Sequence, residues 1–149
     1  MINQLSVEEI EEFLISVEKD FPIPLSQKGD LHHLACKFYN KATICSLVEV
    51  DKVKGMVIGY TENLVENLAY ISIVAVDRKY RGKGYAKKLV LEFIDECKNK
   101  NIKAVHLYTD TRNTVAIRLY KQIGFIDYKV RDELRPQDKH YILYFNQES

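Results

Sequence analysis

The stretch from Leu68 to Thr109 constrains the fold more than any other part of the chain. Leu68 to Val76 is almost wholly apolar or aromatic, as expected of a strand covered on both faces. It runs into a basic segment with two glycines, Arg78 to Gly84, and then into a helical pattern with Ala86, Leu89, Val90, Phe93 and Ile94 on one face. Ile102 to Thr109 reads as a second buried strand. A strand, a crossover helix and another strand place the two strands parallel at the centre of one sheet.

The flanking segments extend this unit into a mixed α/β domain. Ser6 followed by Glu9 predicts a capping box, and Val7, Ile10, Phe13, Leu14 and Val17 recur at helical spacing to about Lys19. Phe21-Pro22-Ile23-Pro24-Leu25-Ser26 cannot continue that helix, because each proline removes a donor and restricts its predecessor. Leu31, Leu34, Ala35 and Phe38 mark a second helix. Thr43 to Val50 and Val53 to Tyr60 predict an antiparallel hairpin turning at Asp51-Lys52. After a polar loop at 61–67 and the central unit, Asn113 leads a short helix that Gly124 ends in the left-handed conformation. Two last strands are expected at about 125–134 and 140–145. The expected fold is a central mixed, mostly antiparallel sheet with helices on both faces, in one domain over 1–149.

The chain has 149 residues and a net charge of +1, so it holds one good core and carries no global attraction for nucleic acid or anionic membrane. No apolar run approaches the roughly 20 residues of a membrane span, and Met1 to Leu5 lacks the basic start and apolar stretch of a secretion signal. Cys36, Cys45 and Cys97 are odd in number and scattered, which points to reduced thiols and a cytoplasmic location. His32 and His33 diverge by about 100° on a helix, and His140 stands isolated in the sequence, so no metal site is expected.

The chemistry concentrates in Val76-Asp77-Arg78-Lys79-Tyr80-Arg81-Gly82-Lys83-Gly84-Tyr85-Ala86. Gly82 and Gly84 let the backbone come close to a ligand. The first amides of the following helix lack internal partners and point outward at the positive end of its dipole. That arrangement is a phosphate cradle. A P-loop needs G-x-x-x-x-G-K-S/T, and the dinucleotide fingerprint needs a third glycine with a later acidic residue; neither fits here.

Arg81-Gly82-Lys83-Gly84-Tyr85-Ala86 resembles the Q/R-x-x-G-x-G/A signature of the GCN5-related N-acetyltransferase (GNAT) family. Asn113 to Phe125, with Ala116, Leu119, Tyr120 and Gly124 at the corresponding places, resembles the same family's N-x-x-A-x-x-L/F-Y-x-x-x-G-F. The resemblance covers about residues 43–145. It implies transfer of the acetyl group of acetyl-CoA directly to a primary amine, with a small molecule such as an amino sugar, polyamine, antibiotic or amino acid the preferred acceptor. The amides of Arg81, Gly82, Lys83, Gly84, Tyr85 and Ala86 would hold the pyrophosphate. The backbone of Val74 and Val76 would pair with the pantetheine arm, and the Val74 N–H would serve as the oxyanion donor. Asn113 would contact the cofactor arm, a role that coexists with plain helix capping. Tyr120 would be the general acid for the departing thiolate.

The resemblance leaves the general base unassigned. The family often places Glu or His where this chain has Tyr70, Ser72 and Tyr108, and none of these is a good base at neutral pH. A water relay lined by such hydroxyls is one route; Glu62, Glu66 and His106 are weaker candidates, and a hydrogen-bonded core role suits His106 equally. By resemblance Phe21 to Ser26 would line the acceptor pocket, with Tyr70, Ser72 and Tyr108 on the same side. Glu62, Glu66 and Asp110 would attract a cationic amine. Three other expectations stay open: a non-catalytic acyl-CoA sensor, a protein N-terminal or lysine acetyltransferase, and a homodimer through the C-terminal strands. A nucleic-acid binder using the basic loop is disfavoured by the near-zero net charge.

Overall fold

A computed structural model describes residues 5–21 and 23–145; Met1 to Gln4, where the absence of a secretion signal was read, and Pro22 of the bend lie outside them. The capping box closes as predicted: Glu9 N donates to Ser6 Oγ at 3.1 Å, and Ser6 N donates to Glu9 Oε1 at 2.9 Å. It opens α1 (Val7–Val17), whose Ile10, Phe13, Leu14 and Val17 are buried. Two 3₁₀ turns, Glu18–Asp20 and Leu25–Lys28, carry the chain round the proline bend to α2 (Leu31–Lys41).

The sheet contains β1 (Thr43–Glu49), β2 (Lys52–Tyr60), β3 (Leu68–Val76), β4 (Ala104–Thr109), β5 (Ile126–Asp127) and β6 (Lys139–Tyr144). Their order is β1-β2-β3-β4-β6-β5, and every neighbouring pair is antiparallel except β3 with β4. The crossover between that parallel pair is α3 (Tyr85–Asn99), and α4 (Thr114–Ile123) follows β4. α1 and α2 pack with Ile44, Met56, Ile58, Ile73 and Ala75 on one face. α3 and α4 pack with Val57, Ala69, Ile71, Val105 and Leu107 on the other.

Two expected boundaries differ. The hairpin turns at Val50-Asp51, because Glu49 pairs with Lys52 and leaves those two residues between the strands. Both have positive φ, 51° and 57°, the geometry that matches the twist of a two-residue hairpin. Polarity suggested Asp51-Lys52, but Val50 is simply exposed, at 97%. The strand expected at 125–134 shrinks to Ile126–Asp127. Tyr128 N still reaches His140 O at 2.8 Å, after which the chain leaves the sheet edge as an irregular loop to Asp138.

One irregularity in β3 positions the site. Ile58 pairs with Ile73 and Gly59 with Ile71, so Ser72 is an extra, unpaired residue. This bulge switches the faces of the strand: Ala69 and Ile71 point to the α3 core, whereas Ile73 and Ala75 point to the α1–α2 core. Opposite it, a Cβ on Gly59 would lie 2.5 Å from Phe93 Cζ and 2.5 Å from Tyr70 O, so only glycine lets α3 approach there.

Candidate active site

β3 and β4 pair only from Leu68 with Ala104 to Ile71 with Leu107. Beyond that, β4 stays with β6 and β3 stays with β2, so the parallel seam opens beside the Ser72 bulge. Asp77 N bonds to Lys54 O on β2 at 2.8 Å. Alternation along an antiparallel strand then turns the N–H and C=O groups of Val74 and Val76 away from β2, toward the opening. The Val76 carbonyl confirms the direction, since it accepts from Arg81 Nε at 3.1 Å.

A cavity of about 300 Å³ fills this opening, with Ser72, Val74, Tyr108, Asn113 and Tyr120 in its walls and Phe21 from the bend at its rim. Tyr120 is 5% exposed and packs edge-on against Phe125 at 5.6 Å. Burial alone pushes its phenol well above the ordinary range, so it stays protonated. Asn113 Oδ1 accepts from Ala116 N at 3.2 Å, so its side chain caps α4, as the plainer expectation had it.

At the end of β3, Asp77 caps a 3₁₀ turn, Arg78–Tyr80, and the chain then passes Gly82 and Gly84, each with φ of 79°. That backbone is strained for any residue with a Cβ. Gly84 is the N-cap of α3 with no side-chain cap, so the first amides of that helix face outward. Nothing lies within 4 Å of where a Cβ would stand on either glycine, so the backbone there is open to approach. The side chains of Arg78 and Arg81 turn instead to Asp20, at 2.8 and 2.6 Å.

The face of the sheet on the α1–α2 side carries more than the sequence suggested. Tyr70, His106 and Tyr108 lie together, with ring centroids 5.0 Å apart for Tyr70–His106 and 6.4 Å for His106–Tyr108. His140, expected to stand alone, pairs across from Tyr108 and stacks on it at 4.0 Å. The Tyr108 hydroxyl donates to Glu133. His140 Nδ1 lies 2.7 Å from the other Glu133 oxygen, and its Nε2 lies 2.8 Å from His106 Nδ1. Desolvation drives the Glu133 carboxyl upward, but hydrogen bonds from Tyr108, His140 and the Arg135 amide outweigh it and hold it at about 2. Burial, with help from the neighbouring His140, holds His106 down at about 4.

Glu133 falls at the end of the segment whose alternating polarity reads as a strand, and Arg135 just beyond it, so neither stands out in the sequence. Period-two spacing could have paired His106 with Tyr108, and register could have added His140; nothing local marks Glu133. Two of the acids expected to attract an amine are already committed: Asp110 makes a two-pronged pair with Arg112 at 2.8 and 2.9 Å, and Glu62 binds Lys100 at 2.8 Å. Cys45 and Cys97 are buried thiols, pushed up to about 11 and about 12 by desolvation, and are therefore inert. Among the described residues, no group of three or more His, Cys, Asp or Glu is arranged to hold a metal, and no helix is long and apolar enough to cross a membrane.

The Acetyltransferase (GNAT) family profile matches residues 10–125. The chain belongs to the GNAT acetyltransferase family. Among the relatives of this GNAT chain, N-alpha-acetyltransferase 30 of Schizosaccharomyces pombe is 38% identical over 80 residues, covering 52% of this chain and 53% of that protein. Mycothiol acetyltransferase of Actinosynnema mirum is 31% identical over 70 residues, 47% of this chain and 24% of that protein. The GNAT chain thus spans about half or less of the curated relatives it matches. The solved PaiA N-acetyltransferase of Thermoplasma acidophilum, in complex with coenzyme A, shares the fold with a TM-score of 0.76 at 16% identity, covering 97% of this chain and 98% of that one.

Proposed function

We propose that this GNAT chain moves the acetyl group of acetyl-CoA directly to a primary amine of a small molecule, acting as one domain in a reducing, cytoplasmic setting. The observation that carries the reading is the open seam at the Ser72 bulge, which turns the Val74 amide toward the same 300 Å³ cavity that holds Tyr120. The outward amides of the 81–86 loop suit a pyrophosphate, and the free edge of β3 suits an extended amide-bearing arm added like a strand. The modest volume of the cavity, about 300 Å³, favours a small acceptor.

The residues divide the work as follows. The Val74 N–H stabilises negative charge developing on the thioester oxygen. Tyr120, kept protonated by burial, gives its proton to the departing sulfur. Phe21 and the bend bound the acceptor side, and Tyr70 and Tyr108 line its approach. A second reading, acetylation of peptide N-termini, is favoured by the match to N-alpha-acetyltransferase 30.

The test is thiol release from acetyl-CoA with sugar amines, polyamines, amino acids and short peptides, beside a coenzyme A titration. Release that depends on a small amine supports the first reading, and release with peptides alone supports the second. Coenzyme A binding without release on any amine returns the chain to a sensing role. Absence of coenzyme A binding overturns both.

A further inference from the structure

The transfer described above leaves the proton of the acceptor ammonium without a destination, and the acceptor face holds a hydrogen-bonded chain that no step has used. Glu133 is ionised at neutral pH and can only accept, so His140 Nδ1 carries a hydrogen toward it. With the His140 ring neutral, its Nε2 accepts from His106 Nδ1–H. That leaves His106 Nε2 as a lone pair on a ring that lines a second cavity of about 490 Å³. Tyr108, stacked on His140, lines both this cavity and the one holding Tyr120, whereas the two histidines line this cavity alone.

We propose that His106, His140 and Glu133 form the proton acceptor of the acetyl transfer, with His106 Nε2 taking the proton from the acceptor ammonium, directly or through one bound water. The proposal rests on the N-acetyltransferase reading. An N–H bond of the ammonium breaks, its electron pair stays on the amine nitrogen, and a new N–H bond forms on His106 Nε2. His106 Nδ1–H then passes to His140 Nε2. One positive charge ends on His140, 2.7 Å from the Glu133 carboxylate, and no electrons are gained or lost.

Both rings are needed for a physical reason. A half-buried His106 alone would hold the charge poorly, which its downward shift to about 4 reflects. Moving the charge one ring further sets it against a carboxylate. Tyr108 and the Arg135 amide fix that carboxylate in place. Tyr70 from β3 and Tyr128 after β5 also face the histidines, as neutral phenols. Arg135 lies over the Tyr108 ring at 5.2 Å and opposes charging of the pair, whereas Glu66 and Asp132 at the cavity wall favour it. Glu62 also lines the cavity but is neutralised by Lys100. His106 is the catalytic residue of the set; His140 and Glu133 position it and store its proton.

Two measurements on the full chain decide the matter. The first is kcat/KM against pH for wild type, His106→Gln, His140→Gln and Glu133→Gln, with coenzyme A affinity as the control for folding. Both histidine variants are expected to lose about tenfold to a hundredfold in kcat/KM, and Glu133→Gln to displace the acid limb, with coenzyme A binding held within about twofold. Unchanged rates and profiles in all three variants overturn the relay. The second is histidine nitrogen NMR of the free protein, which needs no substrate. Uptake of one proton by the pair as a unit, with the resulting charge on His140 and the uptake displaced in Glu133→Gln, supports the relay. Independent titration of the two rings overturns it. Should wild type accept no amine, the activity reading fails by itself, and the NMR result still decides whether the coupled pair exists.

Discussion

The two sides of the opening between β3 and β4 are built by different means. On the α3 side the proposed chemistry rests on main chain: the turned-out groups of Val74 and Val76, two glycines at positive φ, and the uncapped start of α3. All of it comes from one continuous stretch, with Tyr120 added from α4. On the α1–α2 side it is carried by side chains from four separate places, Tyr70, His106 with Tyr108, Glu133 with Arg135, and His140, which hold one another by hydrogen bonds. A main-chain site fails when its backbone is displaced; a side-chain site fails when one polar partner is removed.

Tyr120 sits where the two sides meet, and its loss is expected to have the largest effect. Tyr120→Phe keeps the edge-on packing with Phe125 and removes only the hydroxyl. If that hydroxyl protonates the thiolate, kcat falls by about 100-fold or more, while coenzyme A affinity stays within about twofold. Steady-state kinetics beside a binding titration separates the two quantities. An unchanged kcat would assign Tyr120 to packing alone and leave the proton for sulfur to another group.

A smaller but cleaner separation comes from Gly84→Val. A β-branched residue at φ of 79° is strained whatever the space around it, a cost on the order of 1–3 kcal/mol. If that strain displaces the N-terminal turn of α3, the dissociation constant of coenzyme A rises by about tenfold or more. The nitrogen signals of the hydrogen-bonded pair His106 and His140 should not move, because neither side chain contacts the loop. A Gly84→Val protein with normal coenzyme A affinity would show that the basic side chains, and not the amides, hold the phosphates.

The same division explains what could be read from the sequence. Main-chain sites need particular residues at short spacing, so Gly82, Gly84, the strand before them and the helix after them were all legible. So were the capping box at Ser6 and Glu9 and the parallel pair flanking α3. The hairpin turn moved by one residue because pairing of Glu49 with Lys52 decides it, and polarity does not. The short β5 and the loop after it were misread as one strand, since the alternating polarity there says nothing about leaving a sheet edge. Glu133 could not be found at all: it is seven residues from His140 and 25 from Tyr108 in the chain, and only the loop's path brings the three together. The Ser72 bulge was equally silent, because an extra residue shows itself only in register.

One contact crosses the division. Asp20, just before the bend that carries Phe21 to the rim of the cavity of about 300 Å³, holds both Arg78 and Arg81 of the 78–84 loop. Its carboxylate competes with any phosphate for those two guanidinium groups, yet it also keeps the loop in place against α1. Asp20→Asn retains the shape and one acceptor while removing the charge. If competition dominates, coenzyme A binds about two- to fourfold more tightly at low salt, with the gain fading as salt screens the loop. The effect is small because Arg78 is largely solvated and Arg81 about half so, where ion pairs are weak. If holding the loop dominates, affinity falls instead and the acceptor KM rises with it, because the bend moves when its anchor is lost. A titration at two salt concentrations, paired with the acceptor KM, therefore tells whether the main-chain site stands alone or leans on the acceptor side.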